Sequence, residues 1–363
     1  MNRTIYVLKR LALGVPVLIF GLTMSFLIIT FAPIDPVLSI LGQDAKPTDI
    51  KRLEIALNIR YADGGLVPLW DRYLMTMTDL LTLDFGQSWV VQTNVPTMKL
   101  IANRLPATLW LGFWSVLIAL FVGIPVGLYA GLRSNTWGDY IASAGGIIWR
   151  AMPNFWLAVM LSGLLTAGGA LSWFRTLPPK TDVVGTSPAL GQLASGFAPF
   201  AGLPYVEILW VPIPNLGPML EAFKWILPAA LVLGSASMGN EVRIGRTAVL
   251  ESINSKYIDT AKAKGLRNRT IIGKHVGRNA MIPLLPVIMG EFYLLIGGSV
   301  IVESVFSING LGNLFLSAIF APDIPVLMAL IFIFIIIQIM FNITQDLLYT
   351  FIDPRITLSD RNG

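Results

Sequence analysis

Four ionisable side chains fall in or beside stretches that are otherwise apolar: Arg150, Glu241, Glu291 and Asp346. Charge is costly inside hydrocarbon, so such groups are candidates for ion, proton or polar-cargo chemistry by default. The competing reading is pairing between helices or placement at a boundary. Glu241 and Asp346 sit close to the ends of apolar runs, and Arg150 lies within a turn or two of one, which favours that second reading. No residue is therefore assigned as a cargo ligand. Arg150 with Glu291 would make an ion relay of the kind secondary transporters use, but no second half of an inverted repeat is visible in the chain.

Other chemistries are excluded by composition. The chain has 0 Cys and a single histidine, His275, which removes disulfides, thiolate metal sites, Cys nucleophiles and His-rich metal cages. Neither H-E-x-x-H nor G-x-S-x-G occurs, so an intramembrane hydrolase has no machinery to work with. A phosphate loop is missing too: Gly265 to Gly273-Lys274 has the wrong spacing, with His275 where a hydroxyl should meet Mg²⁺. We expect no catalytic, metal or cofactor site in this chain.

The elements that hold these residues are set by hydropathy. The 363 residues are 55% hydrophobic and 13% charged, about half the charge of an ordinary soluble domain. Leu11 to Phe31 is 21 residues without a charge, enough at ~1.5 Å per residue to cross a ~30 Å hydrocarbon layer. Arg3, Lys9 and Arg10 precede it as in a signal peptide, yet no small-residue cleavage site follows, so this span is expected to stay. Further apolar stretches lie near Ala107 to Leu132, Ile141 to Ala170, Trp225 to Val242, Met281 to Val302 and Val326 to Phe351. The fold class expected is an all-α membrane protein with six transmembrane helices.

Charge placement orients them. Arg243, Arg246, Lys256, Lys262, Lys264, Arg267, Arg269, Lys274 and Arg278 all lie between the fourth and fifth spans, which puts that segment and both termini in the cytoplasm. The net charge of +5 then reflects topology rather than a nucleic-acid partner. Outside lie a loop from Pro33 to Arg104, expected to form short helices around Leu53, Leu57 and Leu69, Tyr73, Met77, and a Pro/Gly-rich loop over 172–224. Gly123, Gly127 and Gly131, four apart, allow close helix approach and are read as packing. Pro125 and Pro153 are candidate kink sites.

The informative stretch is Glu251 to Ala280, polar and basic between two spans. Lys256 to Gly265 follows the N-cap candidates Asn254 and Ser255 and stops at Gly265, a predicted C-terminal break. Such a helix can dock a partner, or rest on anionic lipid as a basic amphipathic helix.

Asp259-Thr260-Ala261 followed by Gly265 resembles the EAA loop of ATP-binding cassette importer permeases, in the version of the dipeptide and oligopeptide branch. The order of other motifs agrees across nearly the whole chain: Arg10-Leu11, Ala32-Pro33-Ile34-Asp35-Pro36, Asp84-Phe85-Gly86-Gln87-Ser88 and Arg104-Leu105-Pro106-Ala107-Thr108-Leu109. Then follow His275, Arg278-Asn279-Ala280, Ile282-Pro283, Glu303, Val305-Phe306-Ser307, Gly310-Leu311-Gly312, Asp346-Leu347-Leu348-Tyr349 and Asp353-Pro354-Arg355-Ile356. Asp259 stands where the general motif has Glu, Ile34 where the family usually has Gly, and the 172–224 loop is longer than expected.

The resemblance implies a multi-pass cell-membrane permease subunit without its own ATPase site, forming half of a pathway for peptides. Oligosaccharides or nickel chelates are the alternative cargoes. It implies two partner ATPase subunits that hold ATP and Mg, a second similar permease, an extracytoplasmic solute-binding protein and surrounding lipid. Tyr257, Asp259, Thr260, Ala261, Ala263 and Gly265 are the residues it assigns to coupling. The organisation expected is a first span over 1–32, an outer loop over 33–104, a core transmembrane domain over 105–350 with the coupling segment 243–280, and a cytoplasmic tail over 351–363.

Overall fold

The computed structural model describes residues 3–32, 36–42, 44–61, 63–166, 168–172, 216–291 and 300–352. Among them the chain is helical, with no strand and only two isolated bridges, Arg60 to Leu66 and Gln87 to Pro96. Expectations for Pro33-Ile34-Asp35, for residues 173–215 of the second outer loop and for Asp353-Pro354-Arg355-Ile356 and the tail lie outside the described residues.

The helices are α1 (Arg3–Phe31), α2 (Pro36–Leu41), α3 (Pro47–Ala56), α4 (Leu69–Leu81), α5 (Thr97–Ile118), α6 (Ile124–Leu132), α7 (Trp137–Ala151), α8 (Asn154–Leu165) and α9 (Leu216–Ile253). They continue with α10 (Lys256–Ala263), α11 (Gly277–Glu291), α12 (Val300–Val305), α13 (Leu311–Phe320) and α14 (Ile324–Ile352). Among the described residues, three helical stretches suffice by length and composition to cross a membrane: Ile5–Phe31, Thr97–Leu132 and Ile324–Leu348. A fourth is the pair α7 and α8 taken together, bent by 94°.

The bend falls inside the stretch Ile141 to Ala170, at Pro153, one of the two candidate kink sites. Proline crowds the residue before it out of the helical region, and Met152, just before Pro153, is extended at φ −84 and ψ 122. A different irregularity precedes Pro125: Ala119–Gly123 is π-helical, and Pro125 has no N–H to return to the Phe121 carbonyl. The region Trp225 to Val242 lies inside α9, which has 38 residues and starts within the stretch assigned to the second outer loop. Pro218 is tolerated in its first turn, where N–H groups have no helical acceptor. The stretch Met281 to Val302 contains residues 292–299, outside the described set, so it is seen as α11 and α12.

The chain divides into two compact units, one of Met1–Leu105 with Leu311–Ile343, the other of Pro106–Gly310 with Thr344–Gly363. In the first, α1 buries Leu18, Leu22 and Phe26 against Met77 and Leu80 of α4 and Met328 and Phe332 of α14. The Tyr73 hydroxyl bonds Thr23 at 2.8 Å, so α4 is pinned to α1 by a polar contact as well. In the second unit, Leu111, Leu157, Ala158, Ile226, Ala230 and Val302 belong to one apolar core. There the three glycines of the 123–131 stripe face α9: a β-carbon on Gly127 would stand 2.8 Å from the Glu241 carbonyl, and one on Gly131 2.6 Å from Val249. The stripe lets α6 and α9 approach backbone to backbone.

Candidate functional site

The exposed segment between α9 and α11 takes its shape from a few buried apolar side chains. Ile258 and Ala261, three apart on α10, are 0% and 6% exposed. They pack into a cluster with Ala248 and Val249 of α9, with Ile271 and Val276 that lead into α11, and with Ala280 in its first turn. Burying a side chain the size of Ile258 contributes roughly 2 kcal/mol, so an eight-residue helix that would be marginal alone is held in place by its inner face.

Its ends are closed locally. The Gly265 N–H donates to the Lys262 carbonyl at 2.9 Å and the Leu266 N–H to the Ala261 carbonyl at 3.3 Å, the paired bonds of a Schellman C-cap. Gly265 has φ +74, a left-handed conformation that costs an L side chain about 1–2 kcal/mol. Ser255 is the N-cap residue, and its hydroxyl donates back to the Ser252 carbonyl rather than capping α10. After Gly265 the chain passes a short turn and a π-helical stretch, Ile271–Val276, before α11.

The outer face then presents Lys256, Tyr257, Asp259, Thr260, Lys262, Ala263 and Lys264. Asp259 and Lys262 approach to 3.8 Å with both side chains more than half exposed, a pair that contributes little. Tyr257 is 42% exposed, and its hydroxyl shares a hydrogen bond with Ser252. Burial raises its pKa, but hydrogen bonds from Ser252, Ser255 and Asn279 outweigh that and leave it below the usual tyrosine value. Of the six residues assigned to coupling, Tyr257, Asp259, Thr260, Ala263 and Gly265 lie on the surface and Ala261 does not. Ala261 is an anchor, one helical turn from Ile258. Ile258 was legible from that apolar spacing and went unassigned.

A second contact stiffens the same end of the unit. Asp139 in the first turn of α7 is 1% exposed and takes both Nε and Nη2 of Arg246 from α9, at 2.6 and 2.9 Å. Its carboxylate also accepts from the Asn135 N–H at 2.9 Å and the Ser143 hydroxyl at 3.1 Å. Arg246, counted in sequence only as one of nine cations, is a structural partner.

Several other motif residues turn out to hold one another. The Thr108 hydroxyl donates to Glu303 at 3.0 Å, both fully buried, and Gly310 packs directly over the pair. In the first unit, fully buried Asp323 accepts from the Ser88 hydroxyl and from the Val90 and Val91 N–H groups at 3.0 Å. Glu241 is also fully buried, and among the described residues neither carboxylate oxygen has a hydrogen-bond partner. It lies against Gly123, where a β-carbon would collide with it, with Glu291 as an acidic neighbour. Arg150 is exposed and reaches Asn240 at 3.5 Å. Among the described residues no group of three or more acidic or His side chains could hold a metal.

Residues 123–358 match the family described as binding-protein-dependent transport system inner membrane component. The dipeptide transport system permease protein DppB of Alkalihalophilus pseudofirmus is 33% identical over 354 residues, covering 97% of this chain and 98% of that protein. The oligopeptide transport system permease protein AppB of Bacillus subtilis is 32% identical over 351 residues, covering 97% and 98%. The dipeptide permease DppB of Escherichia coli is 30% identical over 354 residues, with the same coverage.

Proposed function

The chain belongs to the family of binding-protein-dependent transport system inner membrane components, and from that premise we propose that it forms half of a peptide translocation pathway driven from α10. It is a permease component of an ATP-binding cassette importer, and the family has no ATPase site of its own. In the full reading the chain crosses the membrane six times with both termini cytoplasmic. A second, similar permease completes the pathway, two ATPase subunits bind ATP and Mg beneath it, and a solute-binding protein delivers cargo outside. Peptide cargo is taken over from relatives named for dipeptide and oligopeptide transport.

The observation that carries the reading is the two-faced build of α10. Its inner residues Ile258 and Ala261 are locked to α9 and to the start of α11. Its outer residues, Tyr257, Asp259, Thr260 and Ala263, are left for a partner. A push on the outer face cannot be absorbed by sliding, because the inner face is buried and the Gly265 cap fixes the exit of the chain. It passes to α9, which in turn lies at glycine distance from α6 and is tied to α7 through Arg246 and Asp139. ATPase closure would thus move these helices together and switch the pathway between outward and inward access.

The test is reconstitution with the ATPase subunits and the cargo-loaded binding protein. Gly265→Asp is expected to remove ATPase recruitment and uptake, and unchanged values for both would overturn the coupling role. Identifying the ligand of the binding protein decides the cargo: a peptide supports the reading, whereas an oligosaccharide or nickel chelate replaces its last step. Uptake that persists without nucleotide and collapses with the proton gradient would instead mark a secondary transporter.

A further inference from the structure

A cavity of about 670 Å³ lies where α1 ends and α14 begins, a volume in the range that small ligands fill. Ile28, Ile29, Leu327 and Ile331 form its apolar walls, and Glu54 and Arg72 stand in its polar part. Ile5–Phe31 and Ile324–Leu348 are both candidate membrane spans, so a cavity between the last turns of one and the first turns of the other sits at the boundary between hydrocarbon and water. Trp70 and Tyr73, on either side of Arg72 in the α4 sequence, stack at 5.4 Å, and aromatic side chains are enriched at that depth.

The charges in the cavity do not cancel. Glu54 is engaged by Arg60, whose Nε lies 2.7 Å from its carboxylate. Arg72 is half-buried, and among the described residues its guanidinium has neither a hydrogen bond nor an ion pair. Burial lowers its pKa from the usual guanidinium value, yet arginine stays charged. A half-buried cation above an apolar chamber is complementary to a molecule with an anionic head and a hydrocarbon tail. A free inorganic anion would leave the apolar walls uncovered, and a zwitterionic peptide would find no free carboxylate for its ammonium group.

The geometry points to a resident anionic phospholipid, with one acyl chain along Ile28, Leu327 and Ile331 and its phosphate on Arg72. The experiment uses the assembled transporter in nanodiscs of phosphatidylcholine alone or mixed with phosphatidylglycerol, followed by native mass spectrometry of the lipid retained. The wild type should keep phosphatidylglycerol in preference to phosphatidylcholine. Arg72→Gln should weaken that retention about tenfold or more, while Arg72→Lys retains part of it. Equal retention of the two lipids by the wild type, unchanged retention in a folded Arg72→Gln variant, or displacement of the lipid by a stoichiometric cargo peptide would each overturn the assignment. Should Arg72→Gln fail to fold, the wild-type preference and the loss of lipid in Ile331→Trp, which fills the chamber, decide it.

Discussion

The guanidinium of Arg246 grips the carboxylate of Asp139 through two parallel hydrogen bonds, at 2.6 and 2.9 Å, joining α9 to the first turn of α7. The carboxylate is buried while the arginine is about a third exposed, so removing one partner strands a buried charge or its donors.

Asp139→Asn should therefore lower stability by about 2 kcal/mol, read as the melting temperature of the purified complex. Arg246→Gln should cost a similar amount, and the double variant less than the sum of the two. Additive losses would mean the pair does not act as a unit.

At the crossing of the π-helical stretch with α9, the steric limit is set by Gly123 and Glu241. Gly123→Ala should destabilise the complex by about 1–3 kcal/mol through overpacking. Adding Glu241→Ala should restore much of the loss, since it removes the carboxylate that the new methyl meets. Thermal melts of the wild type, the two single variants and the double variant check this.

Asp323 supports the 86–97 turn by collecting Ser88, Val90 and Val91 on one carboxylate oxygen. Asp323→Ala leaves the buried Ser88 hydroxyl and the half-buried Val90 and Val91 N–H groups without their acceptor and should cost about 3 kcal/mol, localised to that turn. Limited proteolysis should then cut between Gly86 and Thr97 much faster than in the wild type. Unchanged cutting would show that other contacts hold the turn.

Gly265 has open space where a β-carbon would go, so the cost of substitution there is conformational rather than steric. Coupled ATPase activity should fall in the order Gly265→Asn, Gly265→Ala, Gly265→Val, following tolerance for a left-handed backbone. A valine as active as an asparagine would show that the turn is not needed in this form.

Much of this layout can be read from residue types alone. The uncharged run from Leu11 to Phe31, the glycine stripe from 123 to 131 and the stop at Gly265 are local signals, each fixed by backbone or solvent physics acting within one element. Long-range pairings are different. Ser88 and Asp323 lie 235 positions apart, and nothing in either segment names the other. Arg246 is one of many cations in its part of the sequence, and nothing near it points to Asp139, 107 positions away. Ala261 belongs to the coupling motif, and the 3.6-residue period turns it inward beside Ile258. The 94° break at Met152-Pro153 was signalled by the proline, but its size depends on what α8 packs against.

The most direct measurement of coupling through α10 is site-specific cross-linking, which a chain with 0 Cys makes clean. Asp259→Cys and Ala263→Cys, on the outer face, should each cross-link to an ATPase subunit carrying a single cysteine in its docking groove, with a yield that changes when nucleotide is added. Ala261→Cys, on the inner face, should not. Absence of cross-links at both outer positions in a transport-active complex, or their labelling by a membrane-impermeant thiol reagent applied from outside the cell, would contradict it.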